Sequence, residues 1–211
     1  MARAPEASAL ARLKRSRLYS EELGIELARG DDRELFKWFL ASILFGHRIS
    51  ETIARHTYEA FARYELLEPR RILAAGWDFL VNPIMREGGF VRYDEKTSRQ
   101  ILRVCEQLIA DYGGSLTRLH AQANDARDLE ARLMSFYGVG PVTTNIFLRE
   151  LRPRWKKADP EPLPAVRRLA RRLGIDLAAR HRKTIGFARI EAGLIRRRRE
   201  FGGRGRSRGL G

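Results

Sequence analysis

The stretch 133–148, LMSFYGVGPVTTNIFL, decides how the rest of this chain is read. Two glycines, Gly138 and Gly140, flank one small apolar residue, Val139, between two segments with helical apolar spacing. Glycine permits a tight turn and a close backbone approach, and Val139 is suited to plug between two helices. Pro141 at the first position of the second helix removes only an amide that would be unpaired anyway. The remaining free amides there face outward beside the positive end of the helix dipole, an arrangement that suits a phosphate oxygen. The plainer reading is an ordinary two-helix turn, because Gly-x-Gly alone is a weak signal.

Working outward, the chain reads as helix after helix with no strand alternation, so the expected class is all-α. Asp31 or Asp32 caps a helix whose apolar positions Leu35, Phe36, Phe39, Leu40, Ile43 and Leu44 recur at helical spacing. Gly46 interrupts it, and Ser50 opens the next. Further helices are expected over 69–75, 97–112, 125–136, 141–151, 165–173 and 183–199. The apolar stretch 79–84 is broken by Pro83 and ended by Gly88 and Gly89. Gly113 with Gly114 and Gly174 stand where glycine stops a helix. The last residues, 201–211, are rich in Arg and Gly and are expected to form a basic, disordered tail.

The 211 residues carry 41 Lys and Arg against 26 Asp and Glu, a net charge of +15. Such an excess is either tolerated as self-repulsion or matched by a polyanion, and nucleic-acid phosphate is the commonest one. Charge alone does not separate DNA from RNA. No apolar run approaches the ~20 residues of a membrane helix, and Met1 to Leu18 does not read as a signal peptide. A single cysteine, Cys105, excludes an internal disulfide or a four-cysteine cluster. It sits among Ile101, Leu102, Leu108 and Ile109, so it reads as packed core rather than a nucleophile.

The hairpin resembles the helix-hairpin-helix motif of the DNA glycosylase superfamily that includes endonuclease III, with Leu133, Thr143, Ile146 and Phe147 in matching places. LFKWFLASILFGHRISETIA (35–54) resembles that family's early core helix and the turn facing the lesion. Gly89 to Tyr93, with Lys96 and Arg99, and Tyr112 with its two glycines also have counterparts, so the likeness spans roughly 31–174. The fold it implies has two helical lobes with DNA in the cleft between them. Residues 31–150 form the lobe with the hairpin, and 1–30 together with 151–200 form the other. The family's iron–sulfur loop is missing, and no cofactor or metal is implied. The implied partner is duplex DNA bearing a lesion or mismatch, met by a monomer in the cytoplasm at the nucleoid and not at a membrane.

The resemblance also implies a site. Gly138, Val139, Gly140, Val142 and Thr143 hold the DNA backbone. His47 and Arg48 stand where the family places a residue that wedges into the gap left by an extruded base, a step needed because the glycosidic carbon lies in the stack. Tyr137, Tyr93, Trp38 and Phe45 are candidates for stacking on that base, although helical aromatics are commonly core. Base removal needs a carboxylate near the sugar to stabilise an oxocarbenium-like state and orient water. Counting forward from Asn145 lands on Asp159 or Glu161; counting back from Gly174 lands on Leu163, which has no carboxylate. Asp159 before Pro160 is expected to cap its helix and is preferred over Glu161, while a purely structural cap remains open. Val142 occupies the place of the lysine that bifunctional members use for a Schiff base. The expected enzyme is therefore a monofunctional, water-using glycosylase. The alternatives are a non-catalytic DNA-binding protein and a lyase using Lys156 or Lys157.

Overall fold

The computed structural model describes residues 4–202, with side chains from 8 to 197, and those residues are all-helical, with no strand among them. In chain order the helices are α1 (Ala4–Lys14), α2 (Tyr19–Glu22), α3 (Asp32–Gly46), α4 (Glu51–Arg63), α5 (Pro69–Phe79), α6 (Arg86–Gly88) and α7 (Asp94–Tyr112). After them come α8 (Leu116–Gln122), α9 (Ala126–Met134), α10 (Pro141–Leu151), α11 (Pro164–Arg172) and α12 (Ile185–Gly202). Four of these start on side chains that satisfy an orphan amide. Asp31 accepts from the Glu34 amide, Ser50 from Ile53, Ser115 from Arg118 and Asp125 from Asp128, all at 2.8–3.1 Å. Gly76 (φ 75°, ψ 177°) breaks α5, so its regular part stops at Ala75. The 79–84 stretch becomes a wide turn, Leu80–Met85, around a cis Asn82–Pro83 bond. Helices α1, α2 and α8 have too few apolar residues to announce themselves in the sequence. The expected 201–211 tail needs a correction at its start. Phe201 and Gly202 belong to α12, while 203–211 lie outside the described residues.

The apolar face of α3 fills the middle of the molecule. Phe39 meets Phe136 from the hairpin turn at 5.6 Å and Phe147 from α10 at 5.0 Å. Both are buried, as are Leu35, Leu40, Leu44 and, on α7, Ile101, Val104, Cys105 and Leu108. Each large side chain sequestered this way contributes about 1.5–3 kcal/mol. A second, smaller cluster joins Leu13 of α1, Val166, Leu169 and Ala170 of α11, and Ile190 and Leu194 of α12. Apolar packing does not divide at residues 30 and 150. Tyr19, Ile25, Leu27, Leu151, Trp155 and Ala158 all join the larger cluster.

Buried charge ties the ends of the chain to α10. Glu150 accepts the amides of Tyr19 and Ser20 at 3.0 and 3.1 Å, anchoring α2, and its complete burial raises its pKa. Arg152, fully buried just past α10, pairs with Glu191 of α12, donates to the Pro160 carbonyl and lies 5.1 Å over the Phe187 ring. One guanidinium thus holds α10, α12 and the 153–163 connection together. Burial pushes the Glu191 carboxyl up, and Arg152 opposes that shift.

Removing one member of a buried ion pair strands the other in low dielectric. Arg152→Met is expected to cost about 3–5 kcal/mol in urea unfolding. The double variant Arg152→Met/Glu191→Met should recover much of that loss. A single-variant cost equal to that of a surface pair such as Arg71–Glu65 would contradict the assignment.

Candidate nucleic-acid interface

The hairpin is α9, a turn and α10. The Ser135 amide closes α9 on the Ala131 carbonyl, and the Val139 amide returns to the Phe136 carbonyl at 3.0 Å. Phe136 and Val139 point inward, so the apolar plug is present. Gly138 lies at φ +72°, where an L side chain is strained, and a Cβ there would sit 2.8 Å from the Gln100 side chain. Gly140 differs. Its φ of −106° suits any residue, and a Cβ there meets nothing within 4 Å. No side chain caps α10, and Pro141 occupies its first position, so the Val142 and Thr143 amides have no partner within the helix. Beside them Tyr137 is 43% exposed and Val142 47%. The Arg103 guanidinium lies 4.4 Å over the Tyr137 ring.

Two expected backbone contacts need correction here. The Val139 amide is already spent on Phe136, so it has no hydrogen to offer DNA. The Thr143 side chain is buried against α3, where a Cβ on Gly46 would come within 2.1 Å of its Oγ1, so only its amide is left open. That close approach places the turn after α3 directly beside the start of α10.

This turn carries His47 and Arg48. The His47 ring is half-buried, edge-on to Phe90 at 5.4 Å and nearly parallel to Tyr93 at 6.5 Å, with Nε2 3.5 Å from Thr97 Oγ1. Burial lowers its pKa; nearby Lys96 adds to this, and a hydrogen bond with Gln100 opposes it. Arg48 is exposed. Buried Gln100 therefore touches both His47 and Gly138, a link that sequence reasoning missed. Its signal was a lone amide on the apolar stripe of α7. Tyr93 is half-buried with Arg92 5.5 Å over its ring. Trp38 is a correction. It is 0% exposed with its indole N–H donated to the Phe147 carbonyl, so no base can reach it. Phe45 packs edge-on to Tyr19 at 5.4 Å, partly buried against the core.

The acidic segment takes an unexpected arrangement. Leu163, not Asp159, immediately precedes α11, and no side chain caps that helix. Asp159 therefore lies four residues upstream of the cap position. Its carboxylate is held by Arg182 from two sides, Nε to Oδ1 at 3.0 Å and Nη2 to Oδ2 at 2.8 Å, with Arg152 Nε 3.6 Å away. Glu161 pairs with the same Arg182, yet its side chain is 67% exposed. Asn145 of α10 donates to the Glu161 carbonyl at 2.7 Å, tying this segment to the hairpin's second helix. Glu130 of α9 is close enough that Glu161 and Asp159 add to the burial that raises its pKa. Lys157 gives its ammonium hydrogens to the carbonyls of His120, Ala121 and Ala123 at the end of α8. Lys156 is exposed. Among the described residues no group of three or more His, Cys, Asp or Glu side chains is arranged to hold a metal ion, and no helix is long and apolar enough to cross a membrane. No family model matches the chain, and neither does any curated protein or solved structure.

The lowered pKa of His47 has a defined consequence for stability. The unfolded chain, with an imidazole near about 6.5, takes up the proton before the folded chain does. Stability from the neutral ring is therefore present above that value and is lost as pH falls from it through the folded pKa. Urea unfolding between neutral and mildly acidic pH should show a steeper loss for wild type than for His47→Gln. Equal losses would place the ring in solvent.

Proposed function

We propose that this protein binds duplex DNA through the α9–α10 hairpin and acts at damaged or mispaired sites, the setting that the glycosylase resemblance implies. The observation that carries the reading is Gly140. Nothing inside the fold requires a glycine there, neither its φ nor a neighbouring atom. A backbone approaching from outside does require it, because a Cβ would hold a phosphate oxygen away from the amides of the first α10 turn. Those amides are uncapped, and the whole chain carries +15. In this reading Arg48 lies next to the grip and faces the strand, with Tyr93 and Tyr137 at its margins as surfaces for a displaced base.

Hydrolytic removal of a base is the second reading, and one observation favours it. The Asn145 bond keeps the only acidic segment of the 153–163 connection against the hairpin helix. A carboxylate held there could stabilise an oxocarbenium-like sugar and orient water. Of the two candidates, Glu161 is the accessible one, whereas Asp159 is forked by Arg182. Leu163 at the head of α11 weighs against the reading, because that is where the resembled family keeps its acid. A lyase reading retains only Lys156, since Lys157 is committed to the end of α8.

Gly140→Leu should leave thermal stability unchanged and weaken duplex binding by about tenfold to a hundredfold, the loss of one or two charge-assisted hydrogen bonds. Unchanged affinity in the folded variant removes the proposal. For the chemistry, a panel of lesion duplexes treated with hot alkali reports base release, and Glu161→Gln should abolish it while sparing binding. No release by wild type from any lesion, alongside tight binding of abasic or mismatched duplex, leaves the non-catalytic protein.

A further inference from the structure

Helix α11 has two unlike faces. Val166, Leu169 and Ala170 point into the smaller core, while Arg167, Arg168, Arg171 and Arg172 are exposed. None of these four arginines has an ion-pair partner among the described residues, in contrast to Arg152, Arg182 and Arg189, which are all paired. Two of the pairs, 167 with 171 and 168 with 172, are like charges one turn apart, a spacing that weakens a helix when no counter-charge is supplied. The nearest acid in sequence does not supply it. Asp176 instead receives the amides of Ala178 and Ala179 at 2.9 and 3.3 Å and so serves its own turn. Between α11 and residues 174–177 runs a groove of about 710 Å³, with Ala170 and Ile175 in its lining; three cations, Arg167, Arg168 and Arg171, line it against one carboxylate, Asp176.

We propose that this arginine face is a second binding surface for the phosphate backbone of the duplex held by the hairpin. The inference rests on DNA being the partner of the hairpin. It adds a surface to which neither the Gly138–Gly140 turn nor the 46–50 turn contributes. Guanidinium groups suit the role because they carry a fixed charge and present a fork of donors to phosphate oxygens. The reach is also compatible. Asn145 lies about 7–8 Å along α10 from Gly140 at helical rise. It is bonded to Glu161, and Pro164 begins α11 three residues on, within about 10 Å of chain. The start of α11 therefore lies within one helical turn of DNA, about 34 Å, of the hairpin tip. From Arg167 to Arg172 the helix advances roughly 7–8 Å, the rise of about two base-pair steps.

Counterion release gives the test. Duplex affinity of the full chain is measured by fluorescence anisotropy between roughly 50 and 200 mM salt. The variants are Arg167→Gln/Arg168→Gln/Arg171→Gln/Arg172→Gln and a control, Arg33→Gln/Arg70→Gln, which removes exposed arginines from α3 and α5. The α11 variant should keep its helical circular dichroism and flatten the log–log salt slope by about 0.9 for each phosphate that is no longer neutralised. The control should keep the wild-type slope. An unchanged slope for the α11 variant, or an equal change per charge in the control, overturns the proposal. Gly140→Leu separates the two readings, since it blocks the amides and removes no cation. Should that variant bind like wild type while the α11 variant shows the flatter slope, the hairpin reading fails, and the arginine face is a duplex-binding surface by itself and not a second one.

Discussion

Helix α10 is subject to two demands at once. From Thr143 to Leu151 every residue is buried, yet the first turn of the same helix ends in open solvent with its amides uncapped. The buried part fixes the position of the open part. Phe147 against Phe39, Thr143 against Gly46 and Arg152 against Glu191 leave the helix no room to slide. Close-packed interiors transmit such constraints stiffly, so the start of α10 is positioned by the core behind it. A phosphate-binding turn gains from that, because little ordering is left to be done when a ligand arrives.

Charge follows the same division. Inside, Arg149, Glu150, Arg152 and Glu191 offset one another around α10, and burial raises both carboxyl groups. Outside, cations outnumber acids, and those on α11 form no ion pair among the described residues, Asp176 in their groove being turned to its own backbone. Of the acids in the 153–163 connection, Asp159 faces the inner system and Glu161 lies at its exposed edge. Arg182 holds both Asp159 and Glu161, and Arg152 takes the carbonyl between them. The segment that the family resemblance marks for chemistry is thus also a strut between α10 and α12. Asp159 serves the fold, its carboxylate forked by Arg182.

The residues whose roles differ from expectation share a reason. Trp38 reads as an available aromatic because helical spacing shows which residues share a face and not what covers it. Asp159 before a proline has the form of a cap, but the chain stays non-helical through Pro160 and Pro162 until Pro164 opens α11, and a distant arginine takes the carboxylate. Gln100, Arg182 and Asn145 escape notice because each acts on partners 16 to 53 positions away in sequence, beyond the reach of any local pattern.

Local chemistry alone was sufficient for α3, α4, α5, α7 and α9 to α12, the caps at Asp31 and Ser50, the glycine turn with its inward valine and the cationic balance. These follow from short-range spacing, from the hydrogen bonds of a single turn and from composition, all of which are complete within a few residues. Tertiary packing decided which aromatic is walled off, which amide of the turn is already spent, which glycine is free of internal duty and where each carboxylate finds its counter-ion. Those properties depend on what lies opposite in space, and a helical chain brings such partners together only when distant faces are buried against one another.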